Sequence, residues 1–127
     1  MRAFETFLDD LSNWYVRLSR TRFWRSQDAG DTRAAFDALW YALVQALRCV
    51  APVMPFLADE LWQNLVRGVC PGAPASVHLS GYPEVRSQLV DPDLLAAMRS
   101  VRAVVELGRR GRDDAGIKLR QPLREVI

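Results

Sequence analysis

The sequence predicts an all-α protein: a bundle of about four helices, with a long loop before the last helix and a short extended segment at the C-terminus. Three observations carry that prediction. Apolar residues recur at helical spacing in four stretches. Capping residues and prolines stand at the edges of those stretches. Between the third and fourth stretches, Gly68 to Arg86 holds three prolines and three glycines. A chain of 127 residues with 50% hydrophobic side chains suits one domain with its own core, taken here as residues 1–127.

The first helix spans about residues 2–25. At about 100° per residue, Phe4, Phe7, Leu8, Leu11, Trp14, Tyr15 and Leu18 share one arc, the expected core face. Asn13, Arg17, Arg20 and Trp24 fall nearly opposite. A polar turn at residues 27–30 leads to a second helix over 32–50, with Asp31 or Thr32 as its cap and Pro52 as its stop. Its apolar arc is Phe36, Leu39, Trp40, Leu43, Ala46, Leu47 and Val50. Pro55 suits the first turn of a third helix over 55–67, with Phe56, Leu57, Leu61 and Leu65 as its apolar edge. In the loop, Ser76 to Leu79 is expected to lie extended against the bundle. Asp91 and Pro92 open a fourth helix over 92–112, lined by Leu94, Met98, Val101 and Val105. Ile117 to Arg120 alternate apolar and charged, which predicts a short strand within an extended segment, 116–127.

Several functions are excluded. No apolar run approaches the ~20 residues of a membrane helix. Glu5, Asp9 and Asp10 break any signal or transit pattern at the start. Cys49 and Cys70 form no C-x-x-C and imply no disulfide framework, which suits a reducing cytoplasm. His78 is the single histidine, so no metal site and no cofactor is expected, and it reads as a packed loop residue. No glycine-rich phosphate loop is present, and no serine or cysteine has a plausible base partner.

Charge distribution says more than the net value of +2. Residues 11–25 carry four arginines and no acid, whereas residues 26–98 carry four arginines and eight acids. Residues 99–124 hold eight basic and three acidic groups. A local basic patch attracts phosphate even on a nearly neutral molecule. Leu11 to Trp24 also holds two tryptophans, a tyrosine and a phenylalanine. Rings beside guanidiniums are the chemistry of holding unpaired RNA bases. Two readings of this stripe stay open on geometry: an RNA-holding surface, or a solvated face whose early acids and late arginines follow the helix dipole. Arg99, Arg102, Glu106, Arg109 and Arg110 share a face of the last helix that divides the same way, between internal ion pairs and phosphate contact.

Asn13-Trp14-Tyr15-Val16-Arg17, followed by Arg20, Arg22, Phe23 and Trp24, resembles the anticodon-binding domain of isoleucyl-tRNA synthetase. Ala51-Pro52-Val53-Met54-Pro55-Phe56 with Glu60-Leu61-Trp62 resembles a stretch shared with the valine and leucine enzymes. Ser76-Val77-His78-Leu79 and Gly116-Ile117-Lys118-Leu119-Arg120-Gln121-Pro122-Leu123 resemble two further family stretches. Leu18 and Thr21 stand where relatives often carry arginine.

The resemblance implies an anticodon-binding helical bundle that grips the stem and loop of isoleucine tRNA. The implied tRNA contacts are Asn13, Trp14, Arg17, Arg20, Arg22, Trp24 and Arg25, with Arg109, Arg110 and Arg112 on the stem. It implies a cytoplasmic parent enzyme, an isoleucine-tRNA ligase that uses ATP through HIGH and KMSKS motifs. Neither motif occurs here, so catalysis is assigned to a separate catalytic domain of the same polypeptide. The family also carries helices ahead of this stretch, which implies an uncovered apolar strip here and self-association as one way to bury it. The alternatives are a helical interaction or scaffold module, and the equivalent domain of a valyl or leucyl enzyme.

Overall fold

The structure is a computed structural model, and it describes residues 2–118 and 120–122. The described residues are helical or in turns and irregular segments, with no strand among them. The chain forms two compact units, Met1–Glu84 and Val85–Ile127.

The first unit begins with α1 (Arg2–Asp9), which runs directly into wider π-helical turns over Asp10–Val16. Ser12 Oγ donates to the Leu8 carbonyl at 2.7 Å, the bond by which serine competes with a regular helical ladder. Ser19 then leaves helical geometry, with φ −81° and ψ 4°, and the chain resumes as α2 (Arg20–Trp24). The sequence suggests one uninterrupted helix here. Each residue added to a turn rotates the downstream helix by about 100°, so a single periodicity does not hold across the segment. Leu18, expected in the core face, is accordingly 60% exposed. Tyr15 still faces inward and donates its hydroxyl to the Ala35 carbonyl at 3.0 Å.

α3 (Ala29–Val50) starts earlier than expected because Asp28 is its cap, accepting from the Gly30 N–H at 2.8 Å. Asp31 and Thr32 are thereby released for contacts with α2. The helix gives Ala35, Val44 and Leu47 to the interior, while Phe36 and Trp40 stay partly open. Trp40 Nε1 donates to the Leu65 carbonyl at 2.8 Å. α4 (Pro55–Trp62) has its proline in the first turn and continues as π-helical Gln63–Arg67. Its buried edge is Ala58, Trp62 and Val66, not the expected Phe56, Leu57 and Leu61; Phe56 is 90% exposed. The small alanine lets α4 sit close, and the larger residues of the neighbouring face point away.

The core consists of Val44, Ala51, Ala58, Trp62, Val66 and Val77, with Val50, Leu65, Cys70 and Ala73 packed on it. Val77 belongs to the long connection, which is strapped to α4 by side chains. Trp62 Nε1 donates to the Pro74 carbonyl at 3.0 Å, and Gln63 Nε2 to that of Ala75 at 2.7 Å. Asp59 Oδ1 accepts from Ser76 Oγ at 2.6 Å and from the Val77 N–H at 3.1 Å. Ser76 to Leu79 is therefore not extended: Ser76 caps a 3-10 turn, Val77–Leu79. His78 is exposed, with its ring nitrogen 3.3 Å from the Pro55 carbonyl. On the side left open by this packing, Phe4, Leu8, Leu43, Val50, Met54 and Leu61 are among the residues lining an apolar groove of about 250 Å³.

The second unit holds a short 3-10 turn, Ser87–Leu89, and α5 (Pro92–Asp114). Asp91 caps α5 by accepting from the Leu94 N–H at 3.0 Å, as expected. Gly116, with φ 65°, ends it. The Ile117 N–H reaches the Arg112 carbonyl at 2.8 Å and the Gly116 N–H that of Asp113 at 3.0 Å, a left-handed glycine stop. The expected strand after it is absent from the described residues. Arg112 Nη1 instead donates to the carbonyls of Lys118 and Gln121, and the Gln121 N–H closes a turn on the Lys118 carbonyl at 2.9 Å. Leu119 and residues 123–127 of the expected extended segment lie outside the described residues.

Candidate nucleic-acid interface

Five residues decide the geometry of α2. Phe23 points inward, with its ring centroid 4.8 Å from that of Phe36 and 6.4 Å from that of Tyr15. Arg22 turns toward α3, where its Nε and Nη2 grip Asp31 Oδ1 at 2.9 and 2.6 Å. Arg20, Thr21 and Trp24 are left on the solvent side. Trp24 is 72% exposed. The Arg20 guanidinium carbon stands 6.0 Å from the Trp24 ring centroid, at the outer range of a cation–π contact. Arg20, Thr21, Trp24 and Arg25 together line an open hollow of about 530 Å³.

Charge in this region is not all equally available. The hydrogen bond from Arg22 holds the Asp31 carboxyl below its ordinary range, against the opposing effect of burial. The same bond raises Arg22. Arg22, singled out in the sequence for RNA, is thus bound to its own protein. Asn13 is exposed, and its amide donates to Asp9 Oδ1 at 2.5 Å. Arg17 is exposed and Trp14 half-buried. The sequence marks Thr21 only as a replacement for arginine and Asp31 only as a candidate helix cap, neither as a site residue. Thr21 is uncharged and sits between arginines. Asp31 looks like any first-turn acid of a helix.

In the second unit, Arg109, Arg110, Arg112, Asp113 and Ile117 border a hollow of about 270 Å³ at the end of α5. Arg109 and Arg110 are exposed there, at the helix end where cations are favoured. Arg112 is half-buried over the turn it fastens. Among the described residues, no group of three His, Cys, Asp or Glu side chains is placed to hold a metal ion. No described helix is long and apolar enough to cross a membrane.

A short helix that packs a half-buried phenylalanine inward and turns an indole and guanidiniums outward gives this helical module an open surface. The chain belongs to the family described as the anticodon-binding domain of tRNA ligase, which it matches over residues 1–127. It is similar to the isoleucine–tRNA ligase of Thermus thermophilus, at 50% identity over 123 residues. That match covers 96% of this chain and 12% of the relative. The isoleucine–tRNA ligase of Thermobifida fusca is 47% identical over 126 residues, 99% of this chain and 12% of that protein. That of Methanosarcina acetivorans is 43% identical over 123 residues, covering 97% and 12%. The chain thus spans about an eighth of the length of these relatives, the 12% that the matches cover.

Proposed function

We propose that this chain is the anticodon-binding portion of an isoleucine-tRNA ligase and holds the anticodon stem and loop of isoleucine tRNA. The observation that carries the reading is the open indole of Trp24 beneath the Arg20 guanidinium. Trp24 stacks on an unpaired base, a contact of roughly 1–3 kcal/mol. Arg17, Arg20 and Arg25 meet phosphates or base edges, with Asn13 beside them and Trp14 closing the inner border. Arg109 and Arg110 hold phosphates of the stem, and Arg112 supports them by fixing the turn after α5. Arg22 acts chiefly through its hold on α2. The ATP-dependent joining of isoleucine to tRNA belongs in this proposal to a catalytic domain of a longer cytoplasmic polypeptide. The isolated chain self-associates through the apolar groove lined by Phe4, Leu8, Met54 and Leu61, since exposed apolar patches of this kind mark contact surfaces.

Fluorescence anisotropy with isoleucine tRNA and a non-cognate tRNA, each at two salt concentrations, tests the reading. Binding that favours isoleucine tRNA and weakens with salt is expected. Equal affinity for both tRNAs removes recognition and leaves a phosphate grip. No binding at low salt overturns the RNA reading in favour of an interaction module. Sedimentation at rising concentration tests self-association; a monomer throughout removes that part.

A further inference from the structure

α2 is five residues long, too short to hold a direction by its own hydrogen bonds. Backbone bonds join it to the preceding segment, the Ser19 N–H reaching the Tyr15 carbonyl at 2.9 Å and the Phe23 N–H that of Ser19 at 3.1 Å, and three further tethers tie it to α3. Phe23 packs on Phe36. Thr32 Oγ1 donates to the Arg22 carbonyl at 3.0 Å. Asp31 takes the Arg22 guanidinium by both oxygens, Nε lying 2.9 Å from Oδ1 and 3.0 Å from Oδ2, with Nη2 2.6 Å from Oδ1. Arg20 and Trp24 each stand two positions from Arg22, and residues two apart on a helix do not share a face. Whatever draws Arg22 toward α3 therefore turns Arg20 and Trp24 away from it.

We propose that Asp31 is a positioning residue for the interface: by gripping Arg22 it sets the rotation of α2 so that Arg20 and Trp24 form one outward surface. The inference rests on the RNA-holding reading above and adds a residue that touches no RNA. Its sign is opposite to that of simple electrostatics. A carboxylate near a phosphate-binding surface repels the ligand, so its neutralisation should strengthen binding. A positioning carboxylate does the reverse. The fork also matters, since a planar guanidinium holds a carboxylate in one geometry and an ammonium does not.

The test is Asp31→Asn in the full chain, with two readouts. One is affinity for a fluorescein-labelled anticodon hairpin of isoleucine tRNA. The other is the Trp24 indole N–H resonance without RNA, assigned by Trp24→Phe. The variant is expected to bind about twofold to fivefold more weakly although it is more positive by one charge. The Trp24 resonance is expected to move, and Asp31→Glu to restore part of both. Equal or tighter binding by Asp31→Asn overturns the proposal, as does an unmoved Trp24 resonance. If Asp31→Asn lowers the helical circular dichroism, Arg22→Lys carries the test, because it keeps the charge and loses the fork. The same direction is expected, and unchanged affinity with an unchanged resonance overturns the proposal. A wild-type chain that ignores the hairpin refutes the RNA reading separately, and the resonance alone then decides whether Asp31 orients α2.

Discussion

Trp62 and Trp24 are the same residue put to opposite uses, and the regions around them differ accordingly. Around Trp62, 4% exposed, every nearby polar group named above finds a partner within the first unit. Its indole N–H holds the Pro74 carbonyl, and Asp59 gathers Ser76 and the Val77 backbone. Around Trp24 the anchoring is one-sided. Arg22 and Phe23 fasten α2 to α3, while the indole and Arg20 face water. In the first region, side-chain hydrogen bonds fix a loop. In the second, they fix the back of a surface and leave its front open. A carboxylate–partner contact serves both, so its presence alone does not separate a structural site from a presenting one; what remains exposed beside it does.

The sharpest way to break the comparison is to exchange the fates of the two rings. Trp62→Ala is expected to cost about 3–5 kcal/mol of stability, read by denaturant unfolding. Trp24→Ala is expected to leave the unfolding midpoint unchanged and weaken RNA binding by about 1–3 kcal/mol in anisotropy titrations. A loss of stability at Trp24 equal to that at Trp62 would erase the distinction. Arg20→Ala should act more mildly, lowering the slope of log affinity against log salt by about one contact.

Acid sharpens the first region further. The hydrogen bond from Ser76 first, then the Val77 N–H, keeps Asp59 below its ordinary 3.8. A depressed folded-state value means that the stabilisation is present above the unfolded value and lost as pH falls through the folded one. Stability should therefore decline below about pH 4, and Asp59→Asn should flatten that decline in melts across pH. The smallest effect belongs to the second unit. Arg112→Ala should speed amide exchange of Gln121, whose turn loses the Arg112 bonds, with little change elsewhere.

Much of this was legible in the residues. Asp91, Pro92 and Pro55 marked helix starts because capping and a fixed proline φ are local effects. The exposure of Arg20 and Trp24 was legible because they stand four apart on one helix, whereas Arg17, also exposed, lies before the break at Ser19. Periodicity failed where the backbone left regular α geometry. The π-helical turns at Asp10–Val16 change the angle per residue, so Leu18 could not be placed by counting. On α4, hydrophobicity ranked Phe56 and Leu57 above Ala58, but close approach favoured the small residue. Ile117 to Arg120 alternated like a strand, yet Gly116 reversed the chain and Arg112 captured its carbonyls, contacts that alternation does not encode. Asp31 was invisible as a site residue because its partner lies nine positions earlier on another helix.

The wide turns of Asp10–Val16 act as a gear between α1 and α2. Removal of one residue there, tightening the coil toward ordinary pitch, would turn α2 against α3 by roughly a quarter turn. Arg22 and Asp31 would fall out of mesh, and the indole would sweep off its bearing with no change in composition at the surface itself. In such a chain, shortening a quiet stretch of backbone silences a side chain more than a full helical turn away.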